Sequence, residues 1–324
     1  MKKHRVFVDG QEGTTGLRIH EYLAARSDIE VLTIDAERRK DATERARLLN
    51  AADVAFLCLP DAAAKEAVAL VTNPATCIID ASTAHRVAPG WVFGVPELAP
   101  GQREALRRAK RIANPGCHST AFIALLRPLV DAGIVPRDLA LTASSITGYS
   151  GGGKKMIEEY KSSAAAFASG VGGNKALDAP RPYGLKLSHK HVPEMMAYTG
   201  LTVKPVFMPI VGSFYKGLAL SVPLHLAQLK AGSDGSALVR AFERHYAGER
   251  FIRVMPLGDA GVVEPNFFDV QGANDSNRID IFVFADAVQA ILIAREDNLG
   301  KGASGAAVQC MNLHLGCDEG LGLE

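Results

Sequence analysis

The sequence predicts an α/β chain: a Rossmann-type doubly wound parallel sheet domain, plus an α+β domain with a mixed or antiparallel sheet. Three observations predict this. Short apolar strands alternate with helical patterns through the first third of the chain, which is the signature of a parallel sheet covered on both faces. A glycine-rich turn, Gly10-x-x-Gly13-x-x-Gly16, joins the first strand to the first helix. Beyond about residue 115 the strands lengthen, with helices between them. At 324 residues the chain has room for about two domains.

Residues 5–9 (Arg-Val-Phe-Val-Asp) are short, β-branched and aromatic, a buried-strand pattern. After the glycine turn, Leu17, Ile19, His20, Tyr22 and Leu23 recur at helical spacing. Ile29–Asp35 is a second strand, 40–50 a charged helix, and Ala52–Leu59 a third strand ending at Pro60. Asp61 is placed to cap the helix Ala62–Val71. Thr76–Asp80 is a fourth strand. A helix opens near Cys117 and runs to about Asp131. Strand-like segments follow at 138–146, 204–211, 214–224, 266–271, 278–284 and 288–294, with hairpin-like turns such as Gly272-Ala-Asn-Asp-Ser. Helices near 153–168, 192–198 and 234–247 lie between them, and 301–315 returns to helical spacing. The stretch 169–190 is rich in Gly, Lys and Pro and reads as a mobile loop.

Several function classes are disfavoured. Lys plus Arg (36) balance Asp plus Glu (35), so the basic excess of a nucleic-acid binder is missing. No run approaches the ~18–20 apolar residues that span a bilayer. The start, Met1-Lys2-Lys3-His4-Arg5, runs directly into a strand pattern, unlike a signal peptide. Five cysteines form no CxxC pair, which argues against a disulfide scaffold and a zinc–cysteine site. The expected home is the reducing cytoplasm, with no membrane and no nucleic-acid partner.

The glycine turn sits where a dinucleotide fingerprint requires it, between strand and helix. The first glycine permits the tight turn, the second lets backbone approach a pyrophosphate, and the third lets helix pack on strand. The helix N-terminus then offers N–H groups to the anion. The spacing is a variant of the usual one, and a plain strand–helix turn is the alternative. Asp35 at the end of the second strand favours NAD; Arg38-Arg39-Lys40 just beyond favours NADP. The two signals conflict. Gly148-x-x-x-x-Gly153-Lys154 resembles a P-loop, but Lys155 stands where a magnesium-binding hydroxyl is needed. Its glycines can still cradle a phosphate.

Asn114-Pro115-Gly116-Cys117 precedes an amphipathic helix, which puts Cys117 at a helix N-terminus. The dipole there favours the nucleophilic thiolate, and adjacent N–H groups can hold an oxyanion. Cys58, Cys77 and Cys310 lie in apolar or helical runs and read as buried structural cysteines; Cys317 is uninformative. In His189-Lys-His191-Val-Pro-Glu194 the two histidines face one way if the segment is extended. A metal site, a general acid/base histidine and an ordinary surface loop all fit. Cys117 tilts the choice toward acid/base chemistry. Asp80-Ala-Ser82-Thr83-Ala-His85-Arg86 ends the fourth strand, where ligands of such sheets bind, and Arg86 suits an anionic group.

Taken together, these residues resemble the N-acetyl-γ-glutamyl-phosphate reductase family, in its shorter subgroup. The likeness runs nearly the whole length. It rests on Gly10/Gly13/Gly16, Asp80–Arg86, Asn114-Pro-Gly-Cys117, Ser150-Gly-Gly-Gly153-Lys154, His189-x-His191-x-Pro-Glu194 and Asn298-Leu-Gly-Lys-Gly302-Ala-Ser-Gly305. The glycine turn is shared with aspartate-semialdehyde and glyceraldehyde-3-phosphate dehydrogenases. The chain departs from many members at His118-Ser119 and at Ala84-His85-Arg86.

The resemblance implies an NADP-binding domain, 1–116 with 297–324, enclosing a catalytic domain, 117–296. It implies reduction of N-acetylglutamyl 5-phosphate, with NADP(H) as cofactor, an acyl-phosphate substrate, inorganic phosphate as product, and a homodimer or homotetramer. It assigns Cys117 as nucleophile and His189 as acid/base. Arg86, His191, Glu194, Ser150 and Lys154 then bind substrate. Gly10, Gly13, Thr14, Thr15, Gly16, Arg38, Ser82, Gly151, Gly152 and Asn298 bind the cofactor. No metal is expected. The rival readings are a related acyl-phosphate reductase of the aspartate or lysine type, a zinc hydrolase using the His-x-His pair, and a non-enzymatic dinucleotide sensor.

Overall fold

Two sheets organise the chain. The structure is a computed structural model that describes residues 3–10, 13–259 and 266–323. By compactness it divides into Met1–Gly116 with Ala303–Glu324, and Cys117–Gly302. The second boundary thus falls after Gly302, and residues 297–302 belong to the second unit.

In the first unit the chain runs β1 (His4–Asp9), α1 (Thr14–Ala24), β2 (Ile29–Leu32), α2 (Ala42–Ala51), β3 (Val54–Leu57), α3 (Asp61–Ala69), β4 (Cys77–Asp80), β5 (Val92–Phe93), α4 (Gln102–Arg108) and β6 (Arg111–Ala113). The strands form one sheet in the order β2-β1-β3-β4-β6-β5, every pair parallel. A parallel sheet is covered on both faces, and β3 and β4 are accordingly buried at every position. Phe7, Leu49, Leu57 and Ile78 centre one core layer.

The second unit contains α5 (Cys117–Asp131), β7 (Thr142–Gly148), α6 (Gly153–Ala168), β8 (Arg181–Pro182), α7 (Val192–Thr199), β9 (Val206–Gly212), β10 (Leu218–His225), α8 (Gly235–His245), β11 (Ile252–Val254), β12 (Ile279–Ala285) and β13 (Gln289–Glu296). Its sheet runs β11-β12-β13-β10-β7-β9-β8. It is mixed: β7–β9 and β11–β12 pair parallel, the others antiparallel. Leu218, Leu220, Val222 and Leu224 alternate inward on β10 and join the main core with Phe122, Leu126 and Leu129 of α5. The opposite face of the sheet leaves Val206, Met208 and Ile291 exposed.

A π-helical turn, Gly300–Ser304, leads into α9 (Gly305–Leu315), which belongs to the first unit. Polar contacts pin this tail. Arg26 Nη1 donates to Asn312 Oδ1 (2.8 Å) and to the Leu321 carbonyl (3.0 Å). Gln309 Nε2 donates to Glu97 Oε1 (2.8 Å).

Four local expectations change. Residues 266–271 form no strand: Asn266 sits at φ +66°, Phe267 is exposed, and Phe268 packs edge to face on Phe282 of β12 from outside the strand ladder. The hairpin expected at Gly272–Ser276 is therefore absent. Pro60, not Asp61, is the N-cap of α3; the Asp61 carboxylate instead accepts from the Thr83 N–H and hydroxyl. The strands β5 and β6 and the helix α4 were too short to leave a periodic signal. The segment 169–190 contains a short 3₁₀ turn, Lys175–Leu177, and the edge strand β8.

Candidate functional site

In the first unit, the turn after β1 is shaped by contact with β3. Gly10 has φ +88°, and a β-carbon there would stand 2.3 Å from the Cys58 carbonyl oxygen. Only glycine allows that approach. Gly13 caps α1 with no side-chain bond, which leaves the first-turn N–H groups without a capping side chain, and it lines a cleft of about 450 Å³; Thr14, Thr15 and Gly16 are not among the walls of that cleft. Its walls include Gly10, Gly13, Ile34, Cys58, Arg39 and Lys40. Asp9 also lines it, but its carboxylate is held by Arg45 at 2.7 and 3.0 Å. Arg39 and Lys40 add positive charge beyond that pair.

Arg38, the residue singled out from sequence, is not among the walls. It is exposed and faces Asp41 and Glu44 at 3.0 and 3.4 Å, and Asp41 Oδ2 together with Glu44 pushes the guanidinium up. Asp35 is not a wall residue either; its carboxylate accepts the Glu37 N–H.

At the end of β4, Asp80 gathers the motif that follows it. Its carboxylate accepts from the Ser82 N–H (2.9 Å) and hydroxyl (2.7 Å), and lies 2.6 Å from His85 Nδ1. His85 in turn stacks on Trp91. Arg86 is buried and donates to the Ala81 carbonyl. Ser82 and Arg86 are thus fixed in place by the turn that Asp80 organises.

In the second unit, Cys117 is the first residue of α5 and is partly exposed. No acidic residue lies in that first turn, so the helix N-terminus keeps its pull on negative charge. Cys58 and Cys77 differ: burial pushes both thiols up to about 12, which leaves them unreactive.

Around the start of α5 the aromatic side chains form a dense cluster. His118 is buried at its centre. One ring nitrogen lies 2.9 Å from Ser145 Oγ and the other 2.8 Å from the Tyr183 hydroxyl. Burial, with the charges of His189 and Lys190, pushes it down to about 3, so the ring is neutral. It therefore donates from one nitrogen and accepts at the other. The Tyr183 hydroxyl is pushed up by burial and by the charge of Cys117.

His189 and His191 pack edge to face at 4.8 Å, and both approach His118 at 5.5 Å. The segment is a turn, not the extended strand expected, because His191 takes αR geometry as N-cap of α7. The gain is specific: the His191 N–H donates to His189 Nδ1 (3.2 Å). A neutral His189 then carries its proton on Nε2. Glu194 is buried in the first turn of α7, and burial together with its charge pushes Tyr198 up to about 12. Among the described residues no group of three or more His, Cys, Asp and Glu is arranged to hold a metal ion.

Asn298 ties down the glycine loop. Its Nδ2 donates to Ser150 Oγ (2.9 Å), and its Oδ1 accepts the Gly217 N–H (2.8 Å). A β-carbon on Gly151 would approach that same Nδ2 at 3.5 Å, so Gly151 lies close to Asn298, whereas one on Gly152 would meet the Met156 side chain of α6. Lys154 is exposed and faces Glu158 at 4.0 Å on α6.

Sequence reasoning missed Tyr183 and Ser145, and treated His118 only as a departure. Each acts through a partner distant in sequence, and no local pattern announces that.

Comparisons with known proteins agree with this layout. Residues 5–108 match the model described as semialdehyde dehydrogenase, NAD binding domain. Residues 117–298 match semialdehyde dehydrogenase, dimerisation domain. N-acetyl-gamma-glutamyl-phosphate reductase 2 of a Nostoc species is 45% identical, with 100% of both chains covered. N-acetyl-gamma-glutamyl-phosphate reductase of Burkholderia orbicola is 48% identical over 96% of this chain and 97% of its own. Among solved structures, aspartate semialdehyde dehydrogenase II of Vibrio cholerae has a TM-score of 0.73 at 18% identity, covering 97% of this chain and 99% of its own. The Candida albicans aspartate semialdehyde dehydrogenase with NADP gives 0.64 at 15%, covering 96% and 98%. At those identities the likeness is one of fold.

Proposed function

The chain belongs to the N-acetyl-gamma-glutamyl-phosphate reductase family, and from that premise we propose that Cys117 and His189 carry the reductive dephosphorylation of N-acetylglutamyl 5-phosphate to the 5-semialdehyde. It is an NADP-dependent oxidoreductase of arginine biosynthesis. The observation that carries the residue assignment is the pairing of a partly exposed cysteine opening α5 with a histidine whose Nδ1 is occupied by backbone.

The cleft over the β1–α1 turn fits the dinucleotide. Gly10 leaves room where a β-carbon would meet Cys58, capless α1 offers N–H groups to a pyrophosphate, and Arg39 and Lys40 suit a 2′-phosphate. We assign the phosphate on the ribose to Arg39 and Lys40 in place of Arg38. When bound, NADPH supplies the hydride.

The residues of the chain do the rest. The Cys117 thiolate attacks the acyl phosphate; the S–C bond forms and phosphate leaves with the C–O electron pair. The result is a thioester, whose carbonyl accepts hydride far more readily than a carboxylate would. The resulting oxyanion is stabilised by N–H groups at the start of α5. His189 Nε2–H gives its proton to that oxygen or holds it by hydrogen bond, and later regains it as the thiolate departs and the aldehyde carbonyl re-forms. The neutral His118, fixed by Ser145 and Tyr183, keeps the His189 ring upright without adding a competing charge. Arg86, His191, Glu194, Ser150 and Lys154 are assigned to the substrate, and Ser82, Gly151, Gly152 and Asn298 to the nicotinamide end of the cofactor.

The exposed apolar face of the second sheet, with Val206, Met208 and Ile291, suits a homodimer, in line with the dimerisation domain it matches. A reducing cytoplasm suits an enzyme whose nucleophile is a thiolate.

The deciding experiment is the reverse reaction: N-acetylglutamate semialdehyde, phosphate and NADP⁺, followed by nicotinamide absorbance. Phosphate-dependent turnover is expected. Turnover with aspartate semialdehyde alone would keep the chemistry and replace the substrate.

A further inference from the structure

β13 feeds the core on alternate residues: Ala290, Leu292 and Ala294 all point inward. The next inward position is Glu296. It is fully buried, and neither carboxyl oxygen has a hydrogen-bond partner. The residues opposite it on β10 and β12 are Leu218 and Ile279, both apolar. A strand end in such surroundings would ordinarily carry leucine.

The neighbour across from this carboxyl is the nucleophile. A β-carbon built on Gly302 would stand 2.7 Å from Glu296 Oε1 and 2.7 Å from Cys117 Cβ. One missing methyl group therefore separates the two side chains, and Gly302 is glycine because both press on it. The other charged groups around Glu296 are Lys301, whose buried ammonium lies over the Phe251 ring at 5.6 Å, and Asp297, which is itself engaged with the Asp275 and Leu299 N–H groups.

We propose that Glu296 is a further catalytic residue, whose carboxyl donates a hydrogen bond to Cys117 Sγ whenever the sulfur carries charge. The proposal rests on Cys117 being the nucleophile. Burial and the adjacent Asp297 hold the Glu296 carboxyl well above the usual carboxylate range, and the opposing charge of Lys301 does not restore it. That direction favours the protonated carboxyl, the form able to donate. No proton is transferred. The O–H···S bond strengthens as thiolate forms before attack and again as it departs, and is weak in the thioester between.

The test measures Cys117 alkylation by iodoacetamide against pH, read by mass spectrometry of the peptide that carries it, together with kcat and KM. Glu296→Met keeps the bulk and removes the donor. It should raise the pH midpoint of alkylation by about one unit and lower kcat about tenfold, with the KM for NADPH unchanged. Glu296→Gln keeps an N–H donor and should stay within about threefold of the parent. An unmoved midpoint in Glu296→Met, or a downward one as an ionised carboxylate would give, overturns the proposal. So does a Gln variant as impaired as the Met variant. A measurement that needs no Met variant is difference infrared spectroscopy: a protonated-carboxyl band at pH 7, lost in Glu296→Gln, should shift when Cys117 is alkylated. A band that is absent or does not shift overturns the proposal. Turnover surviving in Cys117→Ser would instead overturn the nucleophile assignment itself.

Discussion

The glycine turn of the first unit and the cysteine cluster of the second handle charge in opposite ways. Around Gly10 the charges are kept: Asp9 is paired with Arg45, and Arg39 and Lys40 line an open cleft. Around Cys117 the charges are suppressed. His118 is held neutral by burial, the Tyr183 hydroxyl is pushed up, and Glu296 is held well above the usual carboxylate range. A site that binds a polyanion gains from standing positive charge. A site where one sulfur must become charged on demand gains from having few rivals.

The largest effect that would break this comparison is at the sulfur. Cys117→Ser should cut kcat by more than about 10³-fold, as loss of a nucleophile does, and leave NADPH affinity unchanged by fluorescence titration. Weakened cofactor binding would make Cys117 a structural residue. Next is the proton: His189→Asn should lower kcat roughly 10²- to 10⁴-fold. A rate within twofold of the parent would remove His189 from the chemistry. Arg39→Ala and Lys40→Ala test the other pole. Each should raise the KM for NADPH about tenfold, hardly alter that for NADH, and lose much of its effect at 1 M salt. Equal losses with both cofactors would place these side chains elsewhere on the dinucleotide.

The smallest expected effect is on stability against pH. His118 is pushed from 6.5 down to about 3 in the folded chain. Between those values the unfolded chain binds a proton that the native ring refuses. Its contribution is complete above about pH 6.5 and is lost as pH falls toward 3. His118→Phe should cost about 1–3 kcal/mol at pH 7, from the Ser145 and Tyr183 bonds, yet narrow the gap between urea midpoints at pH 7 and pH 4.5. A gap as wide as the parent's would show that other groups govern the acid limb.

How much was legible in the sequence followed the range of the forces. The β1–α1 turn could be read because its requirements are local: three glycines at fixed spacing between a strand and a helix. Cys117 at a helix start was legible for the same reason. The choice between Arg38 and its neighbours was not, since one residue of rotation around the turn decides which side chain meets the cleft and which meets Asp41. The expected strand at 266–271 failed because apolar residues alone do not reveal whether a sheet edge is there to receive them. The His-x-His pair was placed on an extended segment, whereas the N-cap of α7 bends it and creates the His191-to-His189 hydrogen bond.

By itself the sequence determined the two-domain α/β architecture, the glycine turn between first strand and first helix, and a cysteine at the start of a helix, because periodicity and short-range sterics are written in consecutive residues. The tertiary structure alone decided that His118 is neutral, that Ser145 and Tyr183 hold it, and that Glu296 meets the wall of Cys117 at Gly302. Those outcomes depend on desolvation, which arises only when segments far apart in the chain exclude water together.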